Sequence, residues 1–217
     1  MATLSQLAGY DYRFEPGSHS GGPGRKVLLL LHGTGGNEHS LIPVARLIAP
    51  DADLLAPRGN VPENGALRYF RRIAEGVLDL EDLKLRTGQL GEFVRAAVKK
   101  HGFDAGQVVA VGYSNGANIA ASLMLTQPTA LRHAVMLRAM LPFEPASTPD
   151  LAGSSALIVA GTSDQLIPQA NTERLASIMR EAGCKLELQW LDTGHGLVQE
   201  DSTLAREYLR AWPLVAV

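Results

Sequence analysis

The stretch Val108-Val109-Ala110-Val111-Gly112-Tyr113-Ser114-Asn115-Gly116, continued by Ala117-Asn118-Ile119-Ala120-Ala121-Ser122, decides the fold. A short apolar run rich in β-branched residues reads as a buried strand, and the small-residue run after it reads as a helix. Between them lies G-x-S-x-G, which in strand, turn, helix context holds a serine on a sharp bend. Flanking glycines remove Cβ atoms that would collide with the strand and helix. The Asn115 N–H then opens the helix, at a terminus that favours developing negative charge. Ser114 is therefore the candidate nucleophile; the plain alternative is a structural glycine turn.

Outward from this bend, short apolar strands alternate with amphipathic helices, the pattern of a mostly parallel sheet covered on both faces. Strands are expected at Tyr10–Phe14, Val27–His32, Ala52–Ala56, Val108–Tyr113, His133–Leu137, Ala156–Ala160 and Lys185–Leu191. Leu41, Val44, Ala45 and Ile48 recur at helical spacing, as do Leu90, Phe93, Val94 and Ala97, and Leu175, Ile178, Met179 and Ala182. Asn171 is the expected N-cap of the last of these helices and Gly183 its C′ residue.

Composition narrows the class. At 217 residues a single domain is expected over 1–217, and 46% apolar residues suffice for its core. A net charge of −2 with 19% charged residues implies no polybasic surface for nucleic acid. The longest apolar runs, Val27–Leu31 and Val108–Val111, are far short of the roughly 18 residues that span a bilayer. The start of the chain lacks a cationic segment before an apolar one, and Cys184 has no second cysteine to pair with, so a reducing cytoplasmic setting is expected. Ser18–Gly24 reads as a flexible surface connection; phosphate binding there is disfavoured because no GKS or GKT follows. Trp212–Val217 is apolar enough for a homodimer contact or for packing on the chain's own core.

The chemistry of a serine nucleophile asks for more residues. A second glycine turn, Leu31-His32-Gly33-Thr34-Gly35-Gly36, follows a strand and offers the Thr34 N–H as a second oxyanion donor beside Asn115. A dinucleotide fingerprint fails there, because G-x-G-x-x-G needs glycine where Glu38 stands. A serine alcohol also needs a base. Among six histidines His195 is the candidate, in Asp192-Thr193-Gly194-His195-Gly196 after the last strand, with flanking glycines that imply close presentation of the ring. His32 reads as a buried hydrogen-bonded residue, and His19, His39, His101 and His133 as surface or structural. No metal-ligand spacing is present, so neither a metal nor a cofactor is expected. The acid should lie between serine and histidine in chain order. Asp164, in Gly161-Thr162-Ser163-Asp164 after a strand, fits; Asp192 is the runner-up, too near His195 in sequence to reach its far nitrogen, and Asp150 reads as a surface carboxylate.

These motifs, in this order and at these strand ends, resemble the α/β-hydrolase superfamily, and within it the small carboxylesterase/phospholipase branch that includes acyl-protein thioesterases. Leu-His-Gly-Thr-Gly-Gly-Asn-Glu at 31–38, Pro57-Arg58-Gly59-Asn60-Val61, Arg71-Arg72-x-x-Glu75-Gly76 and Gly112–Asn118 resemble more closely the bacterial carboxylesterases associated with hydroquinone and quinone stress. The resemblance spans about residues 25–210. It implies an α/β-hydrolase fold with a minimal lid, a Ser114, Asp164, His195 triad and a Thr34 and Asn115 oxyanion hole. The implied substrate is a small to medium carboxylic ester, with a link to aromatic or hydroquinone metabolism and with a thioester or lysophospholipid as alternatives; a noncatalytic scaffold that binds a small aromatic or acyl ligand is the alternative from another class. Thr34 and Asn115 depart from the leucine and glutamine usual in acyl-protein thioesterases, which makes protein deacylation a poorer fit; dienelactone hydrolases use cysteine where Ser114 stands.

Residues 57–82 exceed what a minimal sheet needs and are expected to be a small lid or a pocket-lining insertion. Arg68, Arg71 and Arg72 are candidate contacts for an anionic substrate group, with pairing to acids such as Glu75 on a solvated helix as the alternative. Tyr69 and Phe70 are candidate pocket walls. Of 22 glycines, Gly33, Gly35, Gly36, Gly112, Gly116, Gly161, Gly194 and Gly196 fall in turns assigned to the site, which places much of the glycine excess in active-site backbone.

Overall fold

The computed structural model describes residues 4–18 and 25–211. The Ser18–Gly24 connection beyond its first residue, His19 and the Trp212–Val217 contact lie outside the described residues. In chain order the strands are β1 (Ser5–Leu7), β2 (Tyr10–Glu15), β3 (Val27–Leu31), β4 (Asp53–Pro57), β5 (Val61–Glu63), β6 (Ala66–Arg68), β7 (Arg72–Ala74), β8 (Val77–Leu78), β9 (Val108–Tyr113), β10 (His133–Leu137), β11 (Ser155–Gly161) and β12 (Lys185–Leu191). The helices are α1 (Ile42–Ile48), α2 (Leu80–His101), α3 (Asn115–Thr126), α4 (Gln169–Glu181) and α5 (Gln199–Ala211). Eight strands form one sheet in the order β1-β2-β4-β3-β9-β10-β11-β12. Pairing is parallel from β4 to β12, with β1 and β2 antiparallel at one edge. This is the α/β-hydrolase fold.

The fully apolar β3 explains its place at the centre. Leu29 and Leu31 point to one face, where they join Phe93 of α2, Ala117 and Ile119 of α3 and Leu175 of α4. Leu28 and Leu30 point to the other, against Ala45 of α1 and Tyr208 of α5. A strand buried on both faces has no polar side to alternate with, hence the unbroken run of leucines. Each fully buried leucine contributes on the order of 1.5–3 kcal/mol.

Four of the expected strands shift by a residue at one end or both, and two helices start earlier than expected. Helix α4 begins at Gln169 after Pro168, so Asn171 lies in its first turn rather than at its cap. The Asn171 Oδ1 instead accepts the Leu141 N–H at 2.7 Å, tying the helix to the loop after β10. At the other end Gly183 has φ +91°, and the Cys184 N–H reaches back to the Met179 carbonyl, as expected of a C′ glycine. Helix α2 starts well before the Leu90 stripe. Asp79 caps it by accepting the Asp82 N–H at 3.1 Å, so residues 80–82 are helix rather than lid.

Residues 58–79 carry two short hairpins, β5–β6 and β7–β8, outside the main sheet. Their base is bound to the central strand ends. The Gly35 N–H donates to the Leu67 carbonyl at 2.9 Å, the Gly59 N–H to His32 Nε2 at 2.9 Å, and the Tyr69 N–H to Asn115 Oδ1 at 2.7 Å. These bonds tie the base of the segment to the ends of β3 and to the start of α3.

Candidate active site

Five parallel strand ends converge on one spot, because side chains at the carboxyl ends of a parallel sheet gather where the chain turns into helices. Strand β9 delivers Ser114, whose backbone is held at φ +51°, a conformation that non-glycine residues adopt only where surroundings enforce it. The enforcement is visible. The Ser114 N–H donates to the Leu137 carbonyl at 2.9 Å, and the Asn118 N–H closes the first turn of α3 on the Ser114 carbonyl at 2.9 Å. A Cβ at Gly116 would overlap the Leu31 carbonyl, so α3 packs this close to β3 only with glycine there.

The His195 ring lies between serine and acid. Its Nε2 is 2.9 Å from Ser114 Oγ and its Nδ1 is 2.8 Å from Asp164 Oδ2. A carboxylate only accepts, so Nδ1 carries the proton and Nε2 is left as the acceptor for the serine hydroxyl. Asp164 is buried, and its Oδ1 accepts the Leu166 and Ile167 N–H groups at 2.9 and 3.2 Å, which fixes the carboxylate. Asp192 faces elsewhere, accepting from the Thr162 hydroxyl at 3.3 Å, and Asp150 is exposed, accepting the Ala152 N–H.

Two further residues hold the histidine loop. Tyr113 donates its hydroxyl to the His195 carbonyl at 3.2 Å and sets its ring 5.7 Å from the imidazole. Arg138, at the end of β10, is fully buried with φ +56°. Its Nε and Nη2 donate to the carbonyls of Gly194 and Gly196, both at 3.0 Å, on either side of His195. The rest of its fork meets Asp201 of α5 at 2.7 and 2.9 Å and the Val159 carbonyl at 3.3 Å. All five N–H donors of a guanidinium are thereby used. Space does not demand the flanking glycines: a Cβ at Gly196 would meet nothing and at Gly194 only an ordinary contact with the Ser163 carbonyl. The crowded glycine is Gly161, where a Cβ would overlap the carbonyls of Thr193 and Gly194.

Opposite the histidine stands the Gly33–Gly36 turn. As the first residue of α3, Asn115 presents one of the helix's orphan N–H groups, and the Thr34 N–H has no acceptor among the described residues. The turn is braced from below. His32 is buried, sharing a hydrogen bond between Nδ1 and the Gly33 carbonyl at 2.7 Å and accepting from Gly59 through Nε2; burial pulls its pKa down and keeps the ring neutral. Glu38 is buried and takes a two-pronged bond from Arg58, both arms 2.6 Å, and that guanidinium holds its carboxyl down to about 2.

Above Ser114 is a cavity of about 200 Å³. Arg68 and Arg72 line it with Asn118, Met140, Ile167 and the β7–β8 turn at Glu75 and Gly76. The other expected wall residues are elsewhere. Tyr69 and Phe70 are fully buried in the core against α2 and α3, where Tyr69 donates its hydroxyl to the Pro57 carbonyl at 2.7 Å. Arg71 points to solvent and pairs with Asp79 at 3.1 Å. Alternation along an extended chain separates Arg72 from Arg71, a helix being absent here, and Arg72 pairs with Glu63 across the hairpins rather than with Glu75. Asn118, Arg58 and Tyr113 sit inside the short phrases that carry the family resemblance; nothing local in the sequence marks Arg138 or Asp201.

This arrangement can activate a hydroxyl, hold an oxyanion and admit a small carbonyl compound. Comparison with known proteins bears on the family and the fold. Residues 18–213 match the phospholipase/carboxylesterase family model. A Bacillus subtilis protein named as a hydrolase, MhqD, is 46% identical over 189 residues, covering 87% of this chain and 94% of its own. Among solved structures, a Bacillus cereus carboxylesterase is 42% identical with a TM-score of 0.88, covering 94% of this chain and 95% of its own. A Mesorhizobium loti carboxylesterase is 33% identical with a TM-score of 0.89, covering 97% and 99%. A family model that takes in nearly the whole chain, with relatives this similar end to end, places this protein in the phospholipase/carboxylesterase family of α/β-hydrolases.

Proposed function

We propose that the whole chain acts as one serine carboxylesterase unit that hydrolyses small to medium carboxylic esters by two-step acyl transfer. The observation that carries this is the hydrogen-bonded series Asp164, His195, Ser114, at 2.8 and 2.9 Å, opening onto a cavity lined by Thr34 and Asn115, whose backbone N–H groups have no acceptor among the described residues. In the first step Ser114 Oγ attacks the ester carbonyl carbon while His195 Nε2 takes its proton; the Thr34 and Asn115 N–H groups hold the oxyanion. The tetrahedral adduct collapses, the leaving alkoxide takes the proton from His195, and the acyl group remains on Ser114. Water then attacks this ester with His195 again as base, and the carboxylic acid leaves. Asp164 keeps the proton on Nδ1 and stabilises the imidazolium. These side chains and water handle every proton and charge in the cycle, so it calls for no metal or cofactor.

A cavity of about 200 Å³ above Ser114 favours modest substrates. The test is intact mass after a fluorophosphonate probe, with native protein expected to gain one adduct and Ser114→Ala none. An equal adduct on both, or none on the native protein, sinks the assignment. A panel of p-nitrophenyl esters of increasing chain length, a thioester and an aryl ester of hydroquinone then ranks the substrate classes, with short oxygen esters expected first.

A further inference from the structure

Arg68 and Arg72 are placed in a way that their structural contacts do not use up. Both line the cavity above Ser114. Arg68 is 4% exposed, and its Nε and Nη1 are occupied, by the Phe70 carbonyl at 3.0 Å and the Thr34 hydroxyl at 2.6 Å. Its Nη2 has no hydrogen-bond partner among the described residues. One carboxylate, Glu63, serves both guanidiniums: it lies 3.1 Å from Arg72 Nη2 and 3.6 Å from Arg68 Nη1. Burial pulls the Arg68 pKa down, Glu63 pushes it back up, and Arg72 pulls it down again, as expected of a second cation close by.

Two cations sharing one anion at a partly dehydrated wall carry a net positive charge. The unpartnered Arg68 Nη2 is open to the cavity, so its N–H groups are available to an acceptor that displaces water there. The wall lies next to the chemistry, because the same Arg68 fork touches the side chain of Thr34, whose N–H faces the oxyanion. The N-terminus of α3 adds positive potential from below. Glu75 also lines the cavity, but it is exposed on the hairpin turn, where water and salt screen its repulsion. A flat fork with free N–H groups is matched to a carboxylate, which accepts two parallel bonds.

We infer that the cavity contains an anion subsite in which Arg68 and Arg72 receive a carboxylate carried by the ester substrate itself. The substrate class is a small ester bearing a second, free carboxylate, either on the acyl side, as in a half-ester of a dicarboxylic acid, or on the alcohol side. This rests on the esterase reading and narrows it.

Two matched pairs test it. Monoethyl succinate against ethyl 4-oxopentanoate exchanges a carboxylate for a methyl ketone of the same shape on the acyl side. The butyrate ester of 3-hydroxypropanoate against that of 4-hydroxybutan-2-one does the same on the alcohol side. In one arm the native enzyme is expected to favour the anion at least tenfold in kcat/KM. That ratio should fall at least tenfold in Arg68→Gln and in Arg72→Gln, and should shrink as salt rises from 50 to 500 mM. Ratios near or below one in both arms, or ratios indifferent to both substitutions, overturn the subsite. Because the ratio is internal to each variant, loss of Thr34 support in Arg68→Gln cancels from it. Calorimetric titration of Ser114→Ala protein with the same four esters reads the subsite without turnover. Tighter binding of one anionic ester supports it even if no ester is hydrolysed, in which case the esterase reading alone fails; equal binding throughout overturns it even if all four are hydrolysed.

Discussion

Replacing Arg138 with methionine removes a guanidinium whose five donors are all engaged and leaves the Asp201 carboxylate, 2% exposed, without its cation. Truncating one partner of a buried ion pair costs about 3–5 kcal/mol, mostly from the stranded charge. For a chain of this size each kcal/mol lowers the melting temperature by about 2–4 °C, so a fall of roughly 6–20 °C is expected by calorimetry. Activity should fall by a separate route. The carbonyls of Gly194 and Gly196 lose their donors, and a displacement of His195 on the order of 1 Å costs about 10²-fold in rate. At a temperature well below the new melting point, kcat on a p-nitrophenyl ester should drop about 10- to 100-fold with little change in KM, and fluorophosphonate labelling of Ser114 should slow in parallel. The double variant Arg138→Met, Asp201→Asn separates the two effects. Asparagine removes the stranded charge and still accepts the Val198 N–H, as Asp201 does at 2.8 Å, so stability should largely return while kcat stays low. Full recovery of kcat with stability would show that the clamp matters only for folding, and a kcat within twofold of native in the single variant would refute the positioning argument outright.

Other outcomes follow from the same geometry. Asp164→Asn should lose on the order of 10⁴ in kcat by favouring the wrong His195 tautomer, whereas Asp192→Asn should stay within a few-fold; steady-state kinetics on one ester decides, and the reverse order would move the acid. Gly116→Ala forces a Cβ into the Leu31 carbonyl, so α3 must shift away from β3. Loss of both labelling and several kcal/mol of stability is expected, and a native-like melting curve would contradict the packing. The Glu38 carboxyl is held at about 2 in the folded protein by Arg58, below its ordinary value of 4.5. A lowered acid pKa contributes stability that is complete above pH 4.5 and lost as pH falls toward 2, so denaturant unfolding of Glu38→Gln should differ from native most at neutral pH and converge with it near pH 2. Burial holds His133 down to about 4, where the unfolded imidazole titrates near 6.5. The unfolded chain then binds more protons between those values, so stability should fall from pH 6.5 toward 4, and His133→Gln should flatten that part of the curve.

Much of the architecture is local in origin. The unbroken apolar runs at 27–31 and 108–111 had to be strands buried on both faces, and G-x-S-x-G between strand and helix had to be a sharp bend. The order serine, acid, histidine, each after a strand, is what the α/β-hydrolase resemblance implies. Other features were not local. Asn171 has the chemistry of an N-cap, but Pro168 starts the helix earlier and the amide is used on the loop after β10 instead. Arg71 and Arg72 are adjacent in sequence and face opposite ways once the segment is extended, so only one reaches the cavity. Tyr69 and Phe70, apolar neighbours of a pocket-lining arginine, both serve the core because the chain bends there instead of alternating, and the bond from the Tyr69 N–H to Asn115 Oδ1 holds that bend against α3.

The sequence by itself determined the elements and the residue types that carry chemistry, because strand burial, helix periodicity and the glycine bend are properties of a few consecutive residues. Only the tertiary structure decided the partnerships. Arg138 meets the histidine loop 56 residues away in sequence, Arg68 meets Thr34 across 34, and Arg58 meets Glu38 across 20. Such pairs form where parallel strands bring their carboxyl ends together. A charged side chain is committed to one partner only when burial makes every other arrangement cost a stranded charge.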